Sequence, residues 1–230
     1  MNMSARIDHL VIAARSLDEG VRWCESTFGI APGPGGAHPL MGTHNRLMKI
    51  ATVEFPRAYL EIIAIDPKAR PTRAAGTQRW FDLDDAALQA GLARGGPRLV
   101  HFVAEVPDAS AAVQALARQR IDRGRVLQAS RDTPAGRLAW QITVRDDGQR
   151  LMYGTLPTLI EWGPVHPSES MPDSGIRLRS LTVAHPRAGD LDAAMEAIGL
   201  SNVPVSTGAP RLRAVFDTPR GAVTLDSEGI

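Results

Sequence analysis

Cysteine, aromatic side chains, an excess of either charge and long apolar runs are all scarce in this sequence. Cys24 is the only cysteine, which excludes an internal disulfide framework and any multi-cysteine zinc site. It stands at helical spacing from Leu17, Val21 and Phe28, so it reads as a small packing residue and not as a nucleophile. No apolar stretch approaches the roughly 20 residues that a spanning helix needs. The single apolar run near the N-terminus carries Asp8 and lacks the core of a signal peptide. A cytoplasmic protein without membrane contact is the expectation. Charge of one sign is lacking as well: 26 Lys and Arg face 25 Asp and Glu, a formal net charge of +1. With no bulk field to draw in a polyanion, nucleic acid is not an expected partner.

What is present is ordinary globular material. With 230 residues, 43% hydrophobic and 22% charged, the chain can bury a sizeable core as one large domain or several small units. Ile7 to Ala13 reads as a strand with Ile7, His9, Val11 and Ala13 on one face and Asp8, Leu10 and Ile12 on the other. Ser16, with Glu19 three residues on, predicts a capped helix from Leu17 to Phe28, ended by Gly29. After the loop Pro32-Gly-Pro-Gly-Gly36, strands are expected over 43–55, with a bend after Ile50, and over 58–65. The order strand, helix, strands then returns: 98–105 as strand, a helix from Asp108 to about Arg120, strands 126–130 and 138–145 around the turn 132–136, and a closing strand 156–162. Between the two copies lies a segment rich in Arg, Ala, Pro and Thr with a short helix near 85–94, where Arg79-Trp80-Phe81 reads as a lid or an anchor. A third, shorter copy follows, with a strand at 178–184, a helix capped by Asp190, and strands at 212–216 and 222–225. The division is thus a first βαβββ module over 1–67, a linker over 68–97, a second module over 98–165, and a degenerate βαββ unit over 166–230.

Duplication brings residues of one kind to equivalent places. His9 and His101 each sit in the first strand of a copy, and Glu61 and Glu161 each sit in the last, inside apolar runs where an unpaired carboxylate is costly. Alternation puts Tyr59 and Glu61 on the face opposite Leu60 and Ile62, and the same parity pairs His101 with Glu161. Four such groups in one cleft need a compensating charge, and two imidazoles with two carboxylates would hold a divalent cation neutrally. The run His44-Asn45-Arg46 is a second polar cluster, suited to a substrate carboxylate or carbonyl. Trp140 and Trp162 line either the cleft or the core. His38 and His166 precede prolines and read as loop residues.

The pieces IDHLVIAARSLDEGVRWCESTFGI, HPLMGTHNRL, AYLEIIAIDP, RWFDLDD, RLVHFVAEV and TLIEWG together resemble the vicinal-oxygen-chelate superfamily, and within it the glyoxalase-like proteins. The resemblance implies an α+β fold of paired βαβββ modules with metal ligands at His9, Glu61, His101 and Glu161. It implies a divalent ion (Zn, Ni, Co, Mn or Fe) and lyase, isomerase or epimerase chemistry by proton abstraction next to a carbonyl. Glu161 or Glu61 would be the base, with His44, Asn45, Arg46, Tyr59 and Trp140 around a small oxygenated substrate. A non-catalytic binding or sequestering protein of the same fold is the alternative, and a homodimer is compatible with either.

Overall fold

Ser16 is extended and its Oγ accepts the Glu19 amide at 3.2 Å, while Gly29 closes the helix in the left-handed region at φ 78°. Helix α1 therefore runs over Leu17–Phe28, with the bounds its caps dictate. In the computed structural model, which describes residues 4–133 and 136–227, α1 follows strand β1 (Arg6–Ala13) and precedes β2 (Ala37–His38), β3 (Thr43–Lys49) and β4 (Tyr59–Ile65). The linker contributes a 3-10 turn at Trp80–Asp82 and helix α2 (Ala86–Gly95), capped by Asp85. The second round is β5 (Arg98–Glu105), α3 (Ala109–Arg118), β6 (Arg125–Thr133), β7 (Gly136–Val144) and β8 (Thr158–Trp162). The tip of the predicted 132–136 turn lies outside the described residues.

These eight strands form one sheet in the order β2-β3-β4-β1-β5-β8-β7-β6. In each half the first strand runs parallel to the last, β1 with β4 and β5 with β8, and the halves join through the antiparallel pair β1 and β5. The fold is thus the paired βαβββ arrangement. One face buries Leu10, Ile12, Leu60, Ile62, Phe102 and Leu159 under α1 and α3. The other carries Val11, Ile63, Val103, Ile142 and Ile160, over which the linker lays Trp80, Phe81, Leu88 and Leu92.

One break in the expected alternation decides the site. Pairing between β1 and β5 steps from Ile7 opposite Ala104 to His9 opposite Val103, leaving Asp8 as the extra residue of a β-bulge. A bulge puts two residues against one and turns both to the same side. Ile7 therefore joins Leu10 in the helix-side core, and Asp8 turns to the side of His9, the reverse of the simple alternation read from the sequence.

The C-terminal unit comprises β9 (Arg177–His185), α4 (Ala188–Ala197), β10 (Val205–Thr207), β11 (Arg211–Thr218) and β12 (Gly221–Asp226), in sheet order β10-β9-β11-β12. Its helix starts after Arg187, so Asp190 lies in the first turn, bound to Arg187 at 2.6 Å, instead of capping it. Here the first strand pairs with the second and third instead of the last. The unit packs on the helix side of the large sheet, with Phe216 edge-on to Phe28 at 5.2 Å and backbone bonds from Leu178 to Ile50 and from Ala5 to Ile198. Among the described residues no helix is long and apolar enough to cross a membrane.

Candidate active site

The bulge gives Asp8 a place under the sheet face that water does not reach. Its Oδ1 accepts His9 Nδ1–H at 2.5 Å, and its Oδ2 accepts Trp162 Nε1–H at 2.8 Å and His166 Nε2–H at 2.9 Å. The amide of Ser168 donates to His166 Nδ1, which fixes that ring as the Nε2–H tautomer. Burial by itself would favour the neutral acid, but the hydrogen bonds from His166 and His9 win and hold Asp8 well below the usual carboxylate range.

On its other side the His9 imidazole turns Nε2 toward Glu61 Oε2 at 3.5 Å and stacks on Tyr59 with centroids 4.6 Å apart. Burial opposes a charged ring here too, yet Asp8 and Glu61 together raise its pKa to about 9. Glu61 is lowered in turn: burial would raise it, and the bonds and charge of His9 outweigh that. Asn45 Nδ2 donates to Glu61 Oε1 at 2.7 Å and points at His38 Nε2 at 3.3 Å, while Asn45 Oδ1 accepts the Gly36 amide. Glu61 Oε2 is buried and makes no hydrogen bond; at 3.5 Å its contact with His9 Nε2 is ionic. Burial lowers His38 to about 4, so its ring is neutral. Tyr59 is pushed well above its ordinary value by burial and by Asp8 and Glu61.

Trp80, Phe81, Trp140, Ile160 and Trp162 wall this cleft, which encloses about 30 Å³, room for a water or two. Arg131 enters from β6, and its Nη1 is buried without a partner. Beyond Leu47, Arg131 and Pro167, which line both, a larger apolar channel of about 280 Å³ opens.

Of the expected metal quartet, the fold brings together His9 and Glu61 only. His101 is fully buried with both nitrogens engaged: Nδ1 donates to the Gly154 carbonyl at 2.9 Å, and Nε2 accepts the Thr158 amide at 3.1 Å. With no free lone pair it cannot ligate, and burial, with Arg123 and Arg150 nearby, holds its pKa well below 6.5. Glu161 lies on the helix side with Leu159, and its Oε2 accepts the Ala109 amide at the start of α3. Strand register gives the reason. Val11 faces Glu61 across β1 and β4, whereas Val103 faces Thr158 across β5 and β8. Thr158 is therefore the counterpart of Glu61, and it meets His101 Nε2 at 3.0 Å through its hydroxyl. Glu161 stands at the wrong parity for the cleft and is not available as its base.

Among the described residues, the group of three or more acidic, histidine or cysteine donors whose atoms lie within 4.8 Å is Asp8, Glu105 and His166. Its oxygens are already spoken for, since Glu105 accepts from Arg6 at 2.7 and 2.9 Å and from Arg57 at 3.0 Å. A catalytic zinc-type ion takes three protein ligands, and neither donor set supplies them as folded. As folded, the residues present do not fit the ion that the resemblance implied.

Asn45, Tyr59 and Trp140 line the cleft. His44 and Arg46 do not: they share the strand face of Met48, which packs in the helix-side core, and Arg46 is exposed. Asp8, His38, Arg131 and His166 were not among the sequence candidates. The cost of a carboxylate inside an apolar strand, which singled out Glu61, applies equally to Asp8; for Arg131, in a hairpin strand of mixed polarity, no such signal exists.

A family model described as a glyoxalase-like domain matches residues 7–199. No curated protein matches the sequence. Among solved structures, a hypothetical protein from Staphylococcus aureus is 15% identical with a TM-score of 0.60, over 90% of this chain and 88% of that one. A methylmalonyl-CoA epimerase from Streptomyces coelicolor in complex with 2-nitronate-propionyl-CoA is 22% identical at TM-score 0.41, over 70% of this chain and 96% of that one. One from Mycobacterium tuberculosis is 16% identical at 0.38, over 70% and 88%.

Proposed function

This chain belongs to the glyoxalase-like domain family, and on that premise we propose that the His9 cleft transfers a proton at a carbon next to a carbonyl, with Glu61 as the base. The observation that carries the reading is the division of labour within one carboxylate. Glu61 Oε1 is anchored by Asn45, while Oε2 is buried without a hydrogen bond and has only the His9 ring at 3.5 Å as its ionic neighbour, in a residue that lines the cleft. A buried oxygen left without a hydrogen bond is costly, and such groups in a native fold point to a functional role.

In this reading Glu61 Oε2 takes the proton from the carbon acid, and the electron pair left behind moves onto the carbonyl oxygen as an enolate. The His9 imidazolium, held by Asp8, and the Arg131 guanidinium supply the positive charge that offsets it. The carboxylic acid formed at Glu61 then returns the proton to the same or a neighbouring carbon, the step that isomerisation, epimerisation and glyoxalase-type lyase reactions have in common. A carboxylate whose pKa is lowered is a weak base. It therefore suits substrates whose proton is already acidified by two flanking carbonyl or carboxyl groups.

The test is deuterium wash-in, followed by proton NMR in D2O on a panel of 2-oxo acids, 2-hydroxyaldehydes and malonyl thioesters. At least one carbon acid exchanges faster than the enzyme-free control, and Glu61→Gln slows that exchange by about 10²- to 10⁴-fold. Exchange that Glu61→Gln leaves intact overturns the assignment of the base.

A further inference from the structure

Arg131 lines both the cleft and the larger, mostly apolar channel beside it. The channel walls are mostly apolar, with Ile30, Leu47, Met48, Leu138, Val165 and Met171, while Lys49 and Asp173 also reach the lining, and the space between them is about 280 Å³. The rim carboxylate of Asp173 is tied to Arg177 at 2.7 Å, so it does not answer the guanidinium. Nη1 of Arg131 is buried and makes no hydrogen bond. It lies against the backbone of the Pro32–Gly36 loop, where a Cβ at Gly36 would collide with it. A buried donor nitrogen without an acceptor is unfavourable by itself, and this one fills the space that a Cβ at Gly36 would take.

From this juxtaposition we infer that the site takes a carboxylate with an apolar tail, its head on Arg131 and its tail along the channel between the Pro32–Gly36 loop and the 165–174 segment. The inference rests on the cleft of the preceding section being the place where the head group is handled, and it names the substrate class for that site. A guanidinium matches a carboxylate in two parallel hydrogen bonds, and the channel contributes by removing methylenes from water. Arg131 lines both spaces and Glu61 only the cleft, so a head group on Arg131 lies at the cleft end and the tail runs away from it. The channel thereby selects acids with an extended apolar substituent over short polar metabolites.

The experiment is calorimetric titration of the full chain at neutral pH with butanoate, hexanoate, octanoate and octanamide. Octanoate binds, affinity falls about 4-fold for each methylene removed, and octanamide binds at least 10-fold more weakly than the acid. Arg131→Gln abolishes the preference for acid over amide. Ala31→Trp, which fills the channel from an exposed wall position, abolishes the dependence on chain length and leaves the acid preference. Equal binding of octanoate and octanamide, or a chain-length gain that survives Ala31→Trp, overturns the inference, as does failure of octanoate to bind. Glu61→Gln retains octanoate binding. Loss of proton exchange with binding intact therefore counts against the base alone, and loss of binding with exchange intact counts against the channel alone.

Discussion

Asp8 shows how much a single residue out of register can do. As an ordinary strand position it would face the helix-side core, where an ionised carboxylate has no partner. As the bulged residue it collects three donors, from His9, Trp162 and His166. Through them it keeps His9 charged well past neutrality. Asp8→Asn keeps the size and removes the charge. The expected outcome is a His9 pKa that falls from about 9 toward or below 6.5, because burial is then no longer outweighed; 15N-edited NMR titration of the ring reads it directly. The same pKa sets the alkaline limit of any reaction that needs the imidazolium. Activity falls as pH rises through about 9 in the wild type, and in Asp8→Asn that limb moves to lower pH. A limb that stays in place in the variant would dissociate His9 from the chemistry. His9 and Glu61 were legible in the sequence because each interrupts an apolar strand. Asp8 obeyed the same rule, but strict alternation assigned it to the wrong face.

At the scale of elements, most caps are legible in the sequence, Asp190 excepted, whereas strand register is not. Caps at Ser16, Asp85 and Asp108 and the stop at Gly29 are written in short-range chemistry, and α1, α2 and α3 begin where those residues say. Which face of β8 meets the cleft depends instead on a parallel pairing with β5, a long-range fact that no local pattern contains. That is why Thr158 and not Glu161 answers His101, and why the second copy retains a histidine without a second carboxylate. Helix position carries its own constraint. Gly20 sits inside α1 with no room above Ile62, whose Cγ2 a Cβ at residue 20 would strike, and Ile62 is fully buried. Helix propensity alone would make Gly20→Ala stabilising by about 1 kcal/mol. Overpacking against a β-branched side chain that cannot turn away costs roughly 1–3 kcal/mol, so the net effect is a loss of stability. Urea denaturation decides the sign: a midpoint raised by Gly20→Ala would mean that α1 can lift off β4 without penalty.

Across the whole molecule, one apolar cluster runs through α1, the helix side of the large sheet and the C-terminal unit, from Leu10 and Phe28 to Leu181 and Phe216. The duplication was visible in the order of residue types, whereas the packing of the last unit onto the first two was not, since nothing in an amphipathic pattern says which neighbour covers it. Two buried neutral histidines then tie stability to pH. His38 titrates near 4 and His101 well below 6.5 in the folded chain, against about 6.5 when unfolded. Between those values the unfolded chain binds more protons, so stability rises with pH through this window and is lost as pH falls from about 6.5. His38 alone accounts for roughly 3 kcal/mol between neutrality and pH 4. The sign is opposite for His9: its raised pKa gives stability that is complete below about 6.5 and is lost as pH rises through about 9. Depressed Asp8 and Glu61 add to the acid loss, because each contributes in full above its unfolded pKa and loses that contribution as pH falls toward its folded one. Stability should therefore peak near neutral pH and fall on both sides. His38→Asn should flatten the acid limb between pH 4 and 6.5 without moving the alkaline one. Urea midpoints measured across pH test this, and an acid limb as steep in His38→Asn as in the wild type would show that His38 is not what the proton reaches on unfolding.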